Sequence, residues 1–418
     1  MDSTPEQPEA TARSKRTDAR SPDPTLSARR TEVVGVFLRL GLTAFGGPAA
    51  HIAAMEAELV RRRQWVTPGE FLDLLSAANL VPGPNSTELA MHLGWRRAGW
   101  QGLLAAGCAF IVPASLLVWA IAIAYMHYGA RPDVSAFMRG MQPVVLAVVV
   151  QAVWRLSRTM LRTPVPTLIA ALAVVALLGG VHELLVLGGA AMAGGVLRAW
   201  APASAVSGVL VVPSPSPSSI PLGTLVATST AATSAVLMAS VPSSIGVFGA
   251  FLKIGSVLFG SGYVLLAFMR TEFVLRHNWL TEAQLLDAIA VGQLTPGPLF
   301  SAATFAGYLM AGHSGALSAT AGIFLPAFLF VAVSGPLVRA IRRSPLMGAM
   351  LDGVNAASLA LMIGVALLMV RTVATSVVDL GIFAVATVLL MSTPVGAGTA
   401  LLGGAIIGAI RWALSTSL

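Results

Sequence analysis

Long apolar runs alternate with short polar punctuation along this chain. The runs lie near 33–60, 70–94, 101–126, 137–160, 166–180 and 182–198, and again near 246–275, 283–310, 315–338, 350–371, 375–391 and 396–412. About 20 consecutive apolar residues suffice for a helix to cross a bilayer, whereas a membrane barrel would show strands of about 10 residues with strict alternation. The pattern predicts an all-α polytopic membrane protein in a lipid bilayer. Residues 1–30 contain no such run and are rich in Pro, Ser, Thr and charge. They predict a disordered tail, because a cleaved signal would need an apolar core.

The runs fall into two related sets. Residues 37–84 align without gaps to 251–298, so that "FLRLGLTAFGG" from Phe37 answers "FLKIGSVLFGS" from Phe251. Glu58, Arg62, Trp65, Thr67 and Asp73 answer Glu272, Arg276, Trp279, Thr281 and Asp287, and Pro82-Gly83-Pro84 answers Pro296-Gly297-Pro298. One residue is then deleted, after which Gly94, Gly99, Gly102 and Pro113 answer Gly307, Gly312, Gly315 and Pro326. The repeat predicts two halves, 31–199 and 246–418, joined by a linker at 200–245.

Loop charges set the orientation of the halves. The loop after the first run carries Arg61, Arg62 and Arg63; in its counterpart, Arg276 is balanced by Glu282. After the third run the bias reverses, from the near-neutral "HYGARPD" to the basic "RAIRRSP" (Arg339 to Pro345). Basic loops stay in the cytoplasm. The halves therefore read as inverted-topology repeats, with the N-terminus cytoplasmic, as in many secondary transporters. Inversion needs an extra crossing, for which Leu222 to Val241 is the candidate linking helix; the alternative is a Ser/Thr/Ala-rich linker outside the membrane.

Composition narrows the function. The chain is 56% hydrophobic and 11% charged, with a mean hydropathy of +0.80. Its net charge of +8 comes from arginines at the ends of apolar runs, which reflects topology and calls for no nucleic-acid partner. Cys108 is the single cysteine, which excludes an internal disulfide. Neither lysine lies in a phosphate-loop frame, and no HExxH or GxSxG occurs, so the sequence points away from an enzyme and from any cofactor or metal.

The first two runs of each half are interrupted. Phe45-Gly46-Gly47-Pro48 breaks the first and Pro82-Gly83-Pro84 the second; "FGSG", with Gly260, and Pro296-Gly297-Pro298 do the same in half two. Proline removes a helix donor and glycine favours other conformations. Backbone freed at membrane depth must be buried in protein or line a cavity. Each run is thus a broken span or a re-entrant hairpin; hairpins would gather Arg29, Arg30, Arg61 to Arg63, Arg96 and Arg97 on one face. A helix that restarts after a break points N–H groups and partial positive charge at the cavity, which suits an anion. Asn85 and Ser86 are candidate caps for such a start. The alternative is a packing kink.

Arg39 and Lys253 share a repeat position inside apolar runs. A matched pair of cations suits a divalent anion; snorkelling to the interface is the alternative. Glu88 is the acid placed deepest, either a proton carrier or a carboxyl held by nearby hydroxyls. His51 either donates to an anion or belongs to the core. Asp73 and Asp287 sit near helix starts, where acids are favoured in any case.

These residues resemble the chromate transporter (CHR) family in its long two-domain form. The matching text runs from "FGGPAAHIAAMEAELVRRRQWVTPGEF" through "LVPGPNSTELAMHLGW" to "IVP", with a fainter copy from Phe251. The resemblance implies a secondary transporter that exports chromate across the bacterial inner membrane and confers chromate resistance. It also implies sulfate as an analogue and permits a homodimer. Sulfate import and an oxyanion channel on the same scaffold are the competing readings. In half two FGGP becomes FGSG, and Leu299 rather than asparagine follows Pro298, so the two halves are expected to contribute unequally.

Overall fold

The computed structural model describes residues 25–200, 242–259, 262–373 and 376–416. The proposed linking helix and Gly260 lie outside these residues. Helix α1 (Leu26–Thr43) starts earlier than the predicted end of the tail, because the Thr25 hydroxyl accepts from the Ala28 N–H at 3.4 Å and caps it. Helix α2 (Gly47–Glu56) runs on through a π-helical stretch, Ala57–Arg62. Then come α3 (Pro68–Ala78), α4 (Asn85–Tyr128), α5 (Pro132–Met160), α6 (Pro164–Leu178) and α7 (Glu183–Trp200).

The second half repeats this order. It contains α8 (Ser244–Val257), α9 (Val264–Met269) with its own π-helical extension Arg270–Arg276, α10 (Glu282–Leu294), α11 (Ala302–Arg343), α12 (Pro345–Val373), α13 (Val377–Ser392) and α14 (Ala397–Thr416). No strand occurs among the described residues. Among them, six stretches are long and apolar enough to cross a membrane.

The first two runs of each half are hairpins. Arg63, at the end of the first excursion, pairs with Glu32 near its start at 2.9 Å. Arg97, at the end of the second, pairs with the same Glu32 at 2.7 Å and lies 5.3 Å from the Trp65 ring centroid. Arg96 reaches Glu70 at 2.9 Å. Glu70 also accepts from the backbone N–H of Thr67, and these bonds hold its carboxyl below the usual range. Both hairpins thus open on one face of the molecule, called here the first face.

Within α4 the backbone leaves helical geometry at Ala98 and Gly99. Gly99 has φ +63°, which lets the chain reverse and begin a long span toward the second face. Gly312 does the same in α11 with φ +60°. The hairpins of half two open oppositely. Tyr125, near the far end of α4, donates to Asp287 in α10 at 2.8 Å, and Arg276 lies 2.5 Å from His182 between α6 and α7. The repeats are therefore inverted.

The long helices cross-pack between halves through small residues, as membrane helices do. A Cβ on Gly140 of α5 would fall 2.2 Å from the Gly404 carbonyl of α14. Gly140→Leu forces backbones apart, and overpacking of this kind costs about 1–3 kcal/mol or more. The expected result is loss of the monodisperse species in size-exclusion chromatography and a lowered thermal midpoint; unchanged values would refute the tight crossing.

Candidate functional site

The four breaks meet, and they interlock across the repeat. The Gly83 N–H donates to the Leu258 carbonyl at 2.8 Å, and the Gly297 N–H donates to the Ala44 carbonyl at 3.1 Å. Each Pro-Gly-Pro tip of one half thus closes the open helix end of the other, which satisfies backbone that lipid could not. Gly83 has φ +142° and Gly297 φ +92°, so the tips require glycine. His51 secures the arrangement. Its Nε2 lies 3.2 Å from the Ala44 carbonyl and its Nδ1 lies 3.4 Å from the Ser86 hydroxyl. A carbonyl only accepts, so Nε2 carries the hydrogen and Ser86 donates to Nδ1.

Beside these tips lies a cavity of about 250 Å³. Gly46 and Pro48 line it from the first break, and Pro84, Asn85 and Ser86 from the second. The N-termini of α2 and α4 therefore face it, with their partial positive charge. Tyr263 and Leu299 contribute from half two. Gln151 and Arg155 of α5 complete the wall, and among the described residues Arg155 is the one formally charged residue in it. Among the described residues no carboxylate lines the cavity. Arg155 is exposed and sits near the end of α5 that reaches the first face. This is a small chamber with one guanidinium and two helix starts, which is the chemistry of an anion site; the Gln151 amide in its wall donates to the Leu390 carbonyl.

Other candidates do not line this chamber. Phe45 is 57% exposed. Gly47 sits behind the wall, where a Cβ would lie 3.3 Å from the Tyr263 hydroxyl oxygen. Pro82 and Gly83 form one tip, and Pro296, Gly297 and Pro298 the other, the latter packed so that a Cβ on Gly297 would lie 2.5 Å from Ala114. Asn85 and Ser86 do not cap α4. Pro84 occupies the N-cap without a side-chain bond, the Asn85 amide donates to Asn79 at 2.7 Å, and the Ser86 hydroxyl goes to His51.

Arg39 and Lys253 have different surroundings. Arg39 is exposed on the outer side of α1 beside Leu38 and Leu42, because Val36, Phe37 and Leu40 turn the opposite side inward. Lys253 is held by Glu272 at 2.8 Å. Glu88 is fully buried, and neither carboxyl oxygen has a hydrogen-bond partner among the described residues. It lies just behind the tip, where a Cβ on Gly83 would meet its Oε1 at 2.3 Å. Asp287 is more than a helix-start acid: it is buried and accepts from Tyr125 and from Gln142 at 3.1 Å.

Sequence reasoning missed Gln151, Arg155 and Tyr263. For the first two a signal existed. They stand four apart in "VVVQAVWRL", one helical turn, as two polar residues on one face of an apolar helix.

Comparison with known proteins follows the same two-part division. The family model described as Chromate transporter matches residues 31–195 and 245–409. A chromate transport protein of Cupriavidus metallidurans is 30% identical over 396 residues, covering 91% of this chain and 93% of that protein. One from Pseudomonas aeruginosa is 32% identical over 82% of each chain. A probable chromate transport protein of Synechococcus elongatus is 29% identical over 85% of this chain. No solved structure matches.

Proposed function

The chain belongs to the chromate transporter family, and from that premise we propose that it is a secondary transporter exporting chromate across the bacterial inner membrane, so conferring chromate resistance. The observation that carries this reading is the cavity at the interlocked breaks, where Arg155 and the starts of α2 and α4 face one chamber. Such a chamber replaces the water around a tetrahedral dianion with N–H donors. Sulfate, of the same shape and charge, is expected to compete. The chamber's positive end lies toward the first face, which carries Arg61, Arg62, Arg63, Arg96 and Arg97. The positive-inside rule makes that face cytoplasmic. Residues 31–199 and 246–418 act as the two transport repeats.

Energetics favour export. An inside-negative potential drives a dianion outward, and two charges at roughly 2.3 kcal/mol each per 100 mV supply about 4.6 kcal/mol. The test uses inside-out vesicles with potential and pH gradient set independently. Chromate uptake into the lumen that follows the potential and is blocked by excess sulfate is the expected result. No uptake under any gradient, with the protein present in the membrane, would overturn the reading. Uptake confined to right-side-out vesicles would mean import.

A further inference from the structure

A pair of cavities, one on each face, obeys the repeat but differs in charge. At the second face a cavity of about 610 Å³ lies between α5, α13 and α14. At the first face one of about 480 Å³ lies between α12, α6 and α7. With a shift of 213 residues, Thr163 answers Ser376, Arg198 answers Arg411 and Gly140 answers Gly353. One pair breaks the match: Arg139 lines the second-face cavity where Asp352 lines the first. Among the described residues, the first-face cavity is lined by one arginine, Arg198, and one aspartate, Asp352. Among the described residues, the second-face cavity is lined by Arg139, Arg411 and a single acid, Asp379.

That acid is already engaged. Asp379 pairs with Arg411 at 3.1 Å and accepts from the Ser376 hydroxyl at 2.7 Å. Arg139 has no ion-pair partner among the described residues. Arg139 is exposed, and the polar neighbours in the lining are engaged elsewhere, Ser376 with Asp379 and Gln142 with Asp287, so the free guanidinium is the group left to receive a phosphate-type oxyanion. Its depth fits a lipid interface. Arg139 lies two turns into α5, about 10 Å from its start, and Trp412, which also lines the cavity, lies near the end of α14. Tryptophan at that level is an interfacial anchor.

We propose that the second-face cavity is a binding site for a phosphate-bearing anion, held chiefly by Arg139 and supplied by an acidic phospholipid headgroup or by free phosphate. The site is separate from the transport chamber and does not depend on the substrate assigned to it. The test is equilibrium binding to the purified full-length protein, read by tryptophan fluorescence and thermal midpoint. The probes are phosphatidylglycerol in nanodiscs, against phosphatidylcholine nanodiscs, and inorganic phosphate alone. Arg139→Gln is expected to bind phosphatidylglycerol about tenfold more weakly, Arg139→Lys to retain much of the affinity, and Asp352→Asn to match wild type. Arg139-dependent saturation by inorganic phosphate alone would support the site with the free ion as its source. Wild-type affinity for both probes in Arg139→Gln, or equal loss in Asp352→Asn, would overturn the proposal.

Discussion

Arg155→Gln is expected to reduce chromate transport about a hundredfold at limiting substrate while leaving the protein folded and inserted. The figure takes the upper end of the range for a hydrogen bond to a charged group, about 3 kcal/mol. Among the described residues Arg155 is the one formal charge in the chamber wall, and none of its described neighbours there replaces it. Its exposure and its place near a helix end mean that its removal opens no core cavity. Arg155→Lys keeps the charge but loses the planar fork, and is expected to fall between the two. The check is initial rate against chromate concentration in vesicles, with protein quantified by blot. Transport at wild-type rates in Arg155→Gln would remove this chamber as the anion site.

The same experiment separates Arg155 from the cations that the sequence singled out. Lys253 is occupied by Glu272, and Arg39 projects from the outer side of α1. Arg39→Gln is accordingly expected to leave substrate affinity near the wild-type value. A hundredfold loss there would return the paired-cation reading to favour.

How legible this was depends on the kind of signal. The inverted repeat was readable because glycine and proline carry their geometry with them: Pro82-Gly83-Pro84 and Pro296-Gly297-Pro298 predict breaks wherever they stand, and loop arginines predict faces. The hairpins followed from the arginine clusters at 61–63 and 96–97, of which Arg63 and Arg97 pair with Glu32 and Arg96 with Glu70 to close them. The interlocking of tips was not readable. Gly83 bonding Leu258, and Gly297 bonding Ala44, are contacts between halves that no local pattern encodes. Arg39 and Lys253 misdirected the reading for a related reason. Sharing a repeat position makes two residues equivalent under the pseudo-twofold, not adjacent. Arg155 escaped notice because its counterpart in half two, Leu368, is apolar, and a search guided by symmetry passes over what only one half contains.

Glu88→Gln is expected to abolish the response of chromate uptake to a pH gradient while sparing the response to membrane potential. Glu88 is buried with both carboxyl oxygens unpartnered, an arrangement that is functional by default at membrane depth. It touches the Gly83 tip and follows Ser86, which lines the chamber, so any movement that reopens the tips toward the second face changes its surroundings. Half two has Ser301 at the corresponding place, so a single carboxyl serves both halves. We propose that Glu88 carries a proton inward as chromate leaves. One pH unit is worth about 1.4 kcal/mol per proton, or about tenfold in accumulation. In inside-out vesicles held at zero potential, an acid lumen should therefore raise uptake by wild type and not by Glu88→Gln, whose amide nearly preserves the shape of the carboxyl. Equal responses in both proteins would remove Glu88 from the coupling path. No response in wild type would mean that the potential alone drives export, leaving the chamber and its substrate untouched.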